Sequence, residues 1–291
     1  MATPLSADKL LKALRDEGLQ VVEHRSWRTN NRNHKGPWGP THGVMIHHTV
    51  TSGTSSSVDL CYNGHSALPG PLCHGVIAKN GTVYLVGNGR ANHAGLGDDD
   101  VLRAVVAEKA LPPDNEANTD GNRYFYGFEC VNLGDGKDPW PAAQLLAIER
   151  AAAAICRAHG WSQRSVIGHL EWQPGKVDPR GFTMNSMRSR IAKRLGGAPD
   201  GPSDPPPQPT YEPFPGSAFF RVGRNSPVVT AMGRRLVSEG CGRYTVGPGP
   251  SWSEADRKSY AAWQRKLGYT GGDADGIPGK SSWDRLKVPN V

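Results

Sequence analysis

The sequence predicts an α/β domain, in which helices flank a mixed central β-sheet, followed by a second, small all-α domain of three helices. Short β-branched runs alternate with longer helical patterns over the first two thirds of the chain, which is typical of an α/β fold. A segment dense in Pro and Gly, 198–215, then predicts a semi-rigid linker. The predicted domains are therefore 1–197 and 216–291.

The first half of the larger domain is predicted to contain one helix, one strand and one hairpin. The helix, at 7–17, places three leucines on one face. The short apolar run at 43–51 is typical of a buried strand. Residues 76–86 are β-branched on both sides of Asn80-Gly81, and this dipeptide is a strong signal for the turn of a β-hairpin.

The second half of this domain is predicted to contain two strands and two helices. The strands lie at 124–133 and at 166–167, and the second of them leads into a loop rich in Pro and Gly. A helix at 141–159 begins at a proline, carries an apolar stripe and ends before Gly160. A basic helix at 184–195 closes the domain.

The smaller domain shows only helical periodicity. Residues 226–240 form one amphipathic pattern, and 252–269 form a second. Residues 281–286 predict a short third helix, which begins at a serine suited to capping it.

The net charge of +7 is unevenly distributed, and this bears on the kind of partner. Residues 211–291 contain 12 Lys and Arg against 7 Asp and Glu, whereas the preceding 210 residues contain 22 against 20. A basic C-terminal quarter favours an anionic partner, and both nucleic acid and a phosphate-rich cell wall fit this description. The sequence carries no DNA-reading signature and no strand that interleaves aromatic and basic residues, so we do not expect nucleic acid.

The apolar runs and the cysteines of the sequence indicate the cellular compartment in which the chain is made. The chain has no run of about 18 apolar residues, so we expect no membrane span. Its first 19 residues lack the apolar core of a secretory signal, so we expect synthesis in a cytoplasm without a signal peptide. Five scattered cysteines without a CxxC pair favour free, buried thiols, and a Cys61–Cys73 bridge stays as the alternative.

Three segments carry the residue types of a catalytic zinc site. His47 and His48 come at the end of the first predicted strand, His169 follows the strand at 166–167, and Asp178 lies in the loop after it. Hydrolytic zinc sites take three protein ligands from His, Cys and carboxylate side chains and leave one position for water. Because side chains alternate across a strand, only one of His47 and His48 can be a ligand.

Four motifs then occur in order along the chain: GVMIHHT, KNGTVYLVGNGRANHAG, YGFECVN and GHLEWQPGKVDPRG. Together they resemble the type-2 family of N-acetylmuramoyl-L-alanine amidases, which is shared with peptidoglycan recognition proteins and many phage endolysins. The resemblance covers residues 40–195, and its four motifs are jointly specific. It implies an enzyme that hydrolyses the amide bond between N-acetylmuramic acid and L-alanine in bacterial peptidoglycan.

The resemblance also implies which residues form the site. The first histidine after the strand, here His47, and the later His169 correspond to the two histidine ligands of zinc. The third ligand is Cys or Asp in different subfamilies, and it corresponds to Asp178. Lys176 matches a lysine that stabilises the transition state, and His93 resembles a position near the substrate.

One position departs from part of the family. Some members have a catalytic tyrosine just before the strand that precedes the Asn-Gly turn, and here Cys73 takes that place. Members with an aspartate as third ligand instead use a glutamate on the later strand, and Glu129 lies there. The sequence therefore resembles the Asp/Glu subtype, and we expect Cys73 and His74 to be structural.

The implied mechanism follows from these assignments. Zinc would acidify a water molecule and polarise the scissile carbonyl. Glu129 would take the proton from that water and pass it to the leaving amine. Lys176 would stabilise the developing oxyanion.

The smaller domain resembles the three-helix peptidoglycan-binding modules of wall hydrolases. This resemblance rests mainly on Trp263-Gln264, Asp275-Gly276, Gly279 and Trp283, which we expect to be core and turn positions. A wall hydrolase without a leader and with a wall-binding tail resembles a phage endolysin, which acts on the cell wall after release. A bacterial enzyme exported by another route is the alternative, and in both cases we expect a monomer.

The main rival to an enzyme is a non-catalytic peptidoglycan recognition protein. Such members typically lack the third metal ligand. Since Asp178 and both histidines are present, the sequence favours the enzyme.

Overall fold

The computed structural model describes residues 1–201 and 211–289, and the chain divides into two compact units, Met1–Asp204 and Pro205–Val291. The middle of the predicted linker, 202–210, lies outside the described residues. Among the residues that are described, no helix has the length and apolar character needed to cross a membrane.

The first unit is built on a six-stranded mixed sheet, which confirms the predicted fold class. The strands of this sheet are β1 Val21–Glu23, β2 Val44–His48, β5 Gly75–Ile77, β6 Val83–Leu85, β9 Tyr126–Cys130 and β10 Val166–Gly168. They follow the order β1-β6-β5-β9-β2-β10, and all neighbours are parallel except β5 and β6. In the described residues, two small antiparallel pairs lie outside it, formed by β3 Gly64–His65 with β4 Leu68–Pro69 and by β7 Leu96–Gly97 with β8 Thr119–Asp120.

The antiparallel pair β5–β6 is the hairpin that the Asn-Gly dipeptide predicts. The side-chain oxygen of Asn80 accepts a hydrogen bond from the backbone N–H of Thr82 at 3.1 Å. Gly81 has a φ of +86°, a conformation that glycine adopts at little cost. The hairpin therefore owes its turn to these two residues.

Within residues 1–201, five α-helices cover the two faces of this sheet. They are α1 Ala7–Asp16, α2 Thr54–Asn63, α3 Asp99–Val106, α4 Ala142–His159 and α5 Met184–Leu195. The predicted helices α1, α4 and α5 are confirmed within one residue at each end. Helix α4 ends at Gly160, which adopts the left-handed conformation with φ 70°.

The two faces of β2 pack into different parts of the core. Val44 and Ile46 face the main core, which contains residues of α1, α4 and α5. Met45 belongs to a second cluster on the opposite face, together with residues of α3. The alternation continues to the end of the strand, so His47 and His48 lie on opposite faces.

The second unit contains three α-helices in its described residues, as predicted. They are α6 Pro227–Ser238, α7 Glu254–Lys266 and α8 Lys280–Leu286. Trp263 and Trp283 are buried in its core. Gln264 is also buried, and its side-chain oxygen accepts a hydrogen bond from the N–H of Gly276 at 2.7 Å. These residues act as core and turn positions, in agreement with the expectation from the sequence.

Both ends of the predicted linker pack onto the unit beside them. Asp200 forms ion pairs with Arg150 and Arg194 of the first unit. In the second unit, the backbone N–H of Glu212 donates a hydrogen bond to the carbonyl of Val288 at 2.8 Å. Each unit therefore extends a few residues into the segment 198–215.

All five cysteines are buried free thiols. Cys61 and Cys73 lie in the same apolar cluster, between α2 and β5. The structure therefore shows no disulfide bond between these two cysteines, and the alternative of a Cys61–Cys73 bridge is wrong.

Candidate metal centre and catalytic site

Two neighbouring strands bring the candidate ligands together. Strand β10 pairs in parallel with β2, with Gly168 opposite Ile46. His47 is the next residue along β2, and His169 follows directly after β10. Asp178 returns to the same place because its carbonyl accepts a hydrogen bond from the N–H of Leu170 at 2.8 Å, which closes the loop between them.

The three side chains present one atom each to a common point. The Nδ1 atoms of His47 and His169 are 3.1 Å apart. The Oδ2 atom of Asp178 lies 3.0 Å from the first of these nitrogens and 3.2 Å from the second. In the part of the chain that the structure describes, these three residues form a group whose ligand atoms lie within 4.8 Å of one another, close enough to hold a metal ion.

The donor set fits zinc. Ligands at about 2.0–2.2 Å from a tetrahedral zinc ion are separated by roughly 3.3–3.6 Å, close to the spacing found here. Two imidazole nitrogens and one carboxylate oxygen are ligands that zinc prefers. Three protein ligands would leave one position of a tetrahedral ion for water or substrate.

Burial and charge perturb the titration of these groups. Burial lowers the pKa of His47 to about 4, so this imidazole is neutral at pH 7. Burial would raise the pKa of Asp178, but the contacts with His169 and His47 outweigh it and hold that pKa well below its usual range. At neutral pH the site therefore offers a neutral imidazole and a carboxylate, the forms that bind a cation.

Glu129 lies beside this cluster with an unused oxygen. Its Oε2 atom is enclosed and has no hydrogen-bond partner in the described part of the chain. Burial raises the pKa of Glu129 to about 8, the charge of Asp178 adds to this shift, and Lys176 opposes it. Burying a carboxyl oxygen without a hydrogen-bond donor costs free energy. The space beside this oxygen is therefore suited to a hydrogen-bonding group that the chain itself does not supply.

Lys176 is exposed on the loop that carries Asp178. Its positive charge lowers the pKa of both His47 and Glu129, so the ammonium group acts electrostatically on both. The backbone N–H of Lys176 donates a hydrogen bond to the carbonyl of Gln173 at 3.1 Å, which shapes the turn before the aspartate.

His93 is buried behind His47 and does not reach the point shared by the three ligand atoms. Its Nδ1 atom lies 3.1 Å from Nε2 of His47. Its Nε2 atom lies 3.0 Å from the carbonyl oxygen of Phe125. The expectation that His93 contacts substrate stays a prediction, and the structure adds a direct contact with a candidate ligand.

The other residues considered from the sequence lie outside the cluster. His48 accepts a hydrogen bond at Nδ1 from the N–H of Arg180 at 3.2 Å. Cys73 is fully buried among apolar side chains. His74 joins two backbone segments, since its Nδ1 accepts from the N–H of Gly127 and its Nε2 donates to the carbonyl of Gly89, both at 2.9 Å.

The sequence analysis did not identify the residues that contact and support the candidate ligands. Nε2 of His169 lies 3.2 Å from the side-chain oxygen of Gln173. Asn122 holds the loop of His93, because its Oδ1 accepts hydrogen bonds from the N–H groups of His93 and Ala94 at 2.8 and 2.9 Å. Gln173 comes four residues after His169, and this short separation was the one feature of the sequence that could have indicated the contact.

A comparison with protein-family models matches residues 37–181 to the family Amidase_2, described as N-acetylmuramoyl-L-alanine amidase. All the candidate site residues fall inside this range. A comparison with curated proteins finds no significant match.

Solved structures give matches of low identity. The N-acetylmuramoyl-L-alanine amidase LysC from Clostridium intestinale is 13% identical with a TM-score of 0.41, and the match covers 59% of this chain and 97% of that one. The hydrolase AmiA from Staphylococcus aureus, solved with its ligand, is 13% identical with a TM-score of 0.42, covering 66% and 93%. The amidase AmiD from E. coli is 16% identical with a TM-score of 0.39, covering 89% and 91%.

Proposed function

This chain belongs to the N-acetylmuramoyl-L-alanine amidase family, and from that premise we propose that it is a zinc-dependent enzyme that lyses bacterial cell walls as a phage endolysin. The bond cleaved is the amide between the lactyl group of N-acetylmuramic acid and L-alanine, the first residue of the stem peptide. The wall polymer is the partner, and the chain acts on it after release from the cytoplasm in which it is made.

One observation carries the zinc proposal. Two imidazole nitrogens and a carboxylate oxygen converge within 3.2 Å of one another beside Glu129, whose enclosed oxygen has no partner in the described residues. Three lone-pair donors this close together are suited to a cation between them. His47, His169 and Asp178 are the residues that would hold the ion.

The reaction needs a water molecule, a base and a group that stabilises negative charge. When bound, zinc would polarise the scissile carbonyl, lower the pKa of the attacking water and, through its charge, favour the ionised form of Glu129. Glu129 would accept the proton as the water oxygen bonds to the carbonyl carbon. Glu129 would then give this proton to the nitrogen of L-alanine as the C–N bond breaks, which leaves a free carboxylate and a free amine.

Lys176 is suited to the remaining task. The residue is exposed, and its charge acts on both His47 and Glu129, so it is near enough to act on charge that develops in the site. A positive charge there would stabilise the oxyanion that develops on the carbonyl.

The second unit is proposed to hold the enzyme on the wall. It carries five of the seven net positive charges, and the wall of many bacteria is rich in phosphate. Its three-helix architecture and buried tryptophans make a stable platform for that charge.

The deciding experiment is a digest of purified cell walls analysed by mass spectrometry. We expect new N-terminal L-alanine on the released stem peptides and no new reducing sugar ends. A matched digest with His169→Ala serves as the control for contaminating hydrolases. New reducing ends would indicate a glycosidase, and wall binding without any new termini would indicate a non-catalytic recognition protein.

A further inference from the structure

His93 and His47 form a pair whose hydrogen bonds can be assigned atom by atom. The carbonyl oxygen of Phe125 can only accept, so Nε2 of His93, at 3.0 Å from it, carries the proton. A neutral imidazole has one N–H, so Nδ1 of His93 is an acceptor. The atom facing it at 3.1 Å, Nε2 of His47, must therefore be the donor.

This assignment decides which nitrogen of His47 is free. With its proton on Nε2, His47 presents the lone pair of Nδ1 to the point shared with His169 and Asp178. The competing tautomer would carry the proton on Nδ1 and donate it to Oδ2 of Asp178, which is only 3.0 Å away. That tautomer would block the atom that a cation needs and would also occupy the carboxylate.

We propose that His93 is a positioning residue, which fixes the tautomer and ring orientation of His47 so that Nδ1 is available to a divalent cation. The proposal rests on the zinc site of the proposed function. It assigns His93 to a chain of hydrogen bonds that runs from the Phe125 carbonyl through both imidazole rings to the metal position. Partners of this kind raise the basicity of a ligand histidine and hold its ring in place.

The residues around His93 restrain both its backbone and its ring. The backbone N–H of His93 is bound by Asn122, and the carbonyl of the next residue, Ala94, accepts a hydrogen bond from the indole of Trp172 at 2.9 Å. The ring itself lies against Gly127, where a Cβ atom would be only 2.6 Å from Cγ and Nδ1 of His93. A glycine on β9 thus leaves the space that the ring fills.

Three substitutions separate the hydrogen bond from the packing. His93→Asn keeps an acceptor where Nδ1 stands, His93→Gln keeps a donor where Nε2 stands, and His93→Ala keeps neither. The first readout is zinc affinity, measured by competition with a chelating dye in full-length protein. We expect His93→Ala and His93→Gln to weaken zinc binding by about 10–100-fold, and His93→Asn to stay close to wild type.

The second readout needs no metal. Nitrogen-15 NMR of the metal-free protein at pH 8 should show the wild-type His47 ring protonated at Nε2, and the same in His93→Asn. In His93→Ala and His93→Gln we expect a shift toward protonation at Nδ1, because Asp178 then offers the better acceptor. Circular dichroism and thermal unfolding identify any variant that has lost the fold.

The two proposals fail in different ways. A wild-type chain that binds no zinc would overturn the proposed function, while the NMR comparison would still test the role of His93. If the wild type binds zinc and the folded Gln variant matches it in both affinity and His47 tautomer, the role of His93 is refuted.

Discussion

His47 and Glu129 are register partners on the adjacent parallel strands β2 and β9. Partners in register project to the same face of a sheet, so a candidate zinc ligand and the candidate base stand side by side on the rigid sheet rather than on loops. The next pair in register, His48 and Cys130, projects to the other face. One step along the strand thus separates the face that carries the candidate site from the face that packs into the main core.

The first prediction concerns the ligands. His169→Ala should lose both zinc and wall lysis, because the two remaining ligand atoms cannot complete a tetrahedral site. His48→Ala is the matched control, since His48 lies on the opposite face and should keep about one zinc per chain. Metal content measured by mass spectrometry of the purified proteins checks this, and full zinc occupancy in His169→Ala would rule out the assignment.

The second prediction concerns the base and the lysine. Glu129→Gln and Lys176→Ala should each slow turnover by roughly 10²–10³-fold, because they remove proton transfer and oxyanion stabilisation respectively. Both variants should retain zinc, since neither side chain belongs to the ligand set. Turnover is measured on soluble muropeptides, with zinc content measured on the same preparations.

Cys73→Ser is the control for the subtype. Cys73 takes the position of a catalytic tyrosine in other members of the family, but here it is fully buried among apolar side chains. We expect the variant to stay active, with some loss of stability from the buried hydroxyl. An inactive but folded Cys73→Ser, together with a fully active Glu129→Gln, would show that the subtype is misassigned.

The third prediction concerns the support of the second histidine. Gln173 faces Nε2 of His169 at 3.2 Å, and an acceptor there leaves Nδ1 of that ring free for the metal. Gln173→Glu should keep or strengthen zinc affinity, because a carboxylate is a better acceptor. Gln173→Leu should weaken it by about tenfold. Equal affinities in dye competition would mean that this contact does not orient the ligand.

Most strands of the main sheet and the grouping of the three candidate ligands could be predicted, whereas strand β1 and the contacts that support the candidate ligands could not. Strand β2, the hairpin at Asn80-Gly81 and helices α4 and α5 have local signals: an apolar run, a turn dipeptide and helical periodicity. Helix α2 has no such signal, because it is rich in serine and its buried side is short. The contact of His93 with His47 joins residues 46 positions apart through a loop, and no periodicity encodes it.

The fourth prediction concerns acid stability. His42 and His159 both stack on Trp161, with ring centroids 4.6 and 4.1 Å from it. Burial lowers the pKa of His42, and burial with the charges of His42 and the N-terminus lowers the pKa of His159 to about 4. As the pH falls below about 6.5, the unfolded chain takes up these protons before the folded chain does. The stabilisation that the two neutral histidines contribute is therefore complete above pH 6.5 and is lost toward pH 4.

His159→Phe keeps the stacking and removes one titrating group. The loss of unfolding free energy between pH 7.5 and pH 5 should become smaller by on the order of 1 kcal/mol, after allowance for solvent screening of this half-buried ring. His42→Phe should act in the same direction, and its ring nitrogens have no partner among the described residues to lose. Urea unfolding with chelator present excludes zinc release, and an unchanged pH dependence in both variants would contradict the prediction.

The last prediction concerns the division of labour between the two units. Because Asp200 is paired with Arg150 and Arg194, the catalytic fragment should be cut after residue 201 rather than 197. We expect 1–201 to cleave soluble muropeptides at a rate close to that of the full chain and to lyse intact walls less well. We expect 211–291 to sediment with walls and to cut nothing.

The salt dependence of wall binding by 211–291 shows how much of this binding is electrostatic. Residues 211–291 carry +5 at neutral pH, and attraction between exposed charges weakens once the screening length falls from about 10 Å at 0.1 M salt to about 3 Å at 1 M. Wall binding of 211–291 should therefore decrease as the salt concentration rises. The rate at which 1–201 hydrolyses small substrates without net charge should not decrease. A fragment 211–291 that fails to sediment with walls even at low salt is not a targeting module, and its basic surface must then serve another anionic partner.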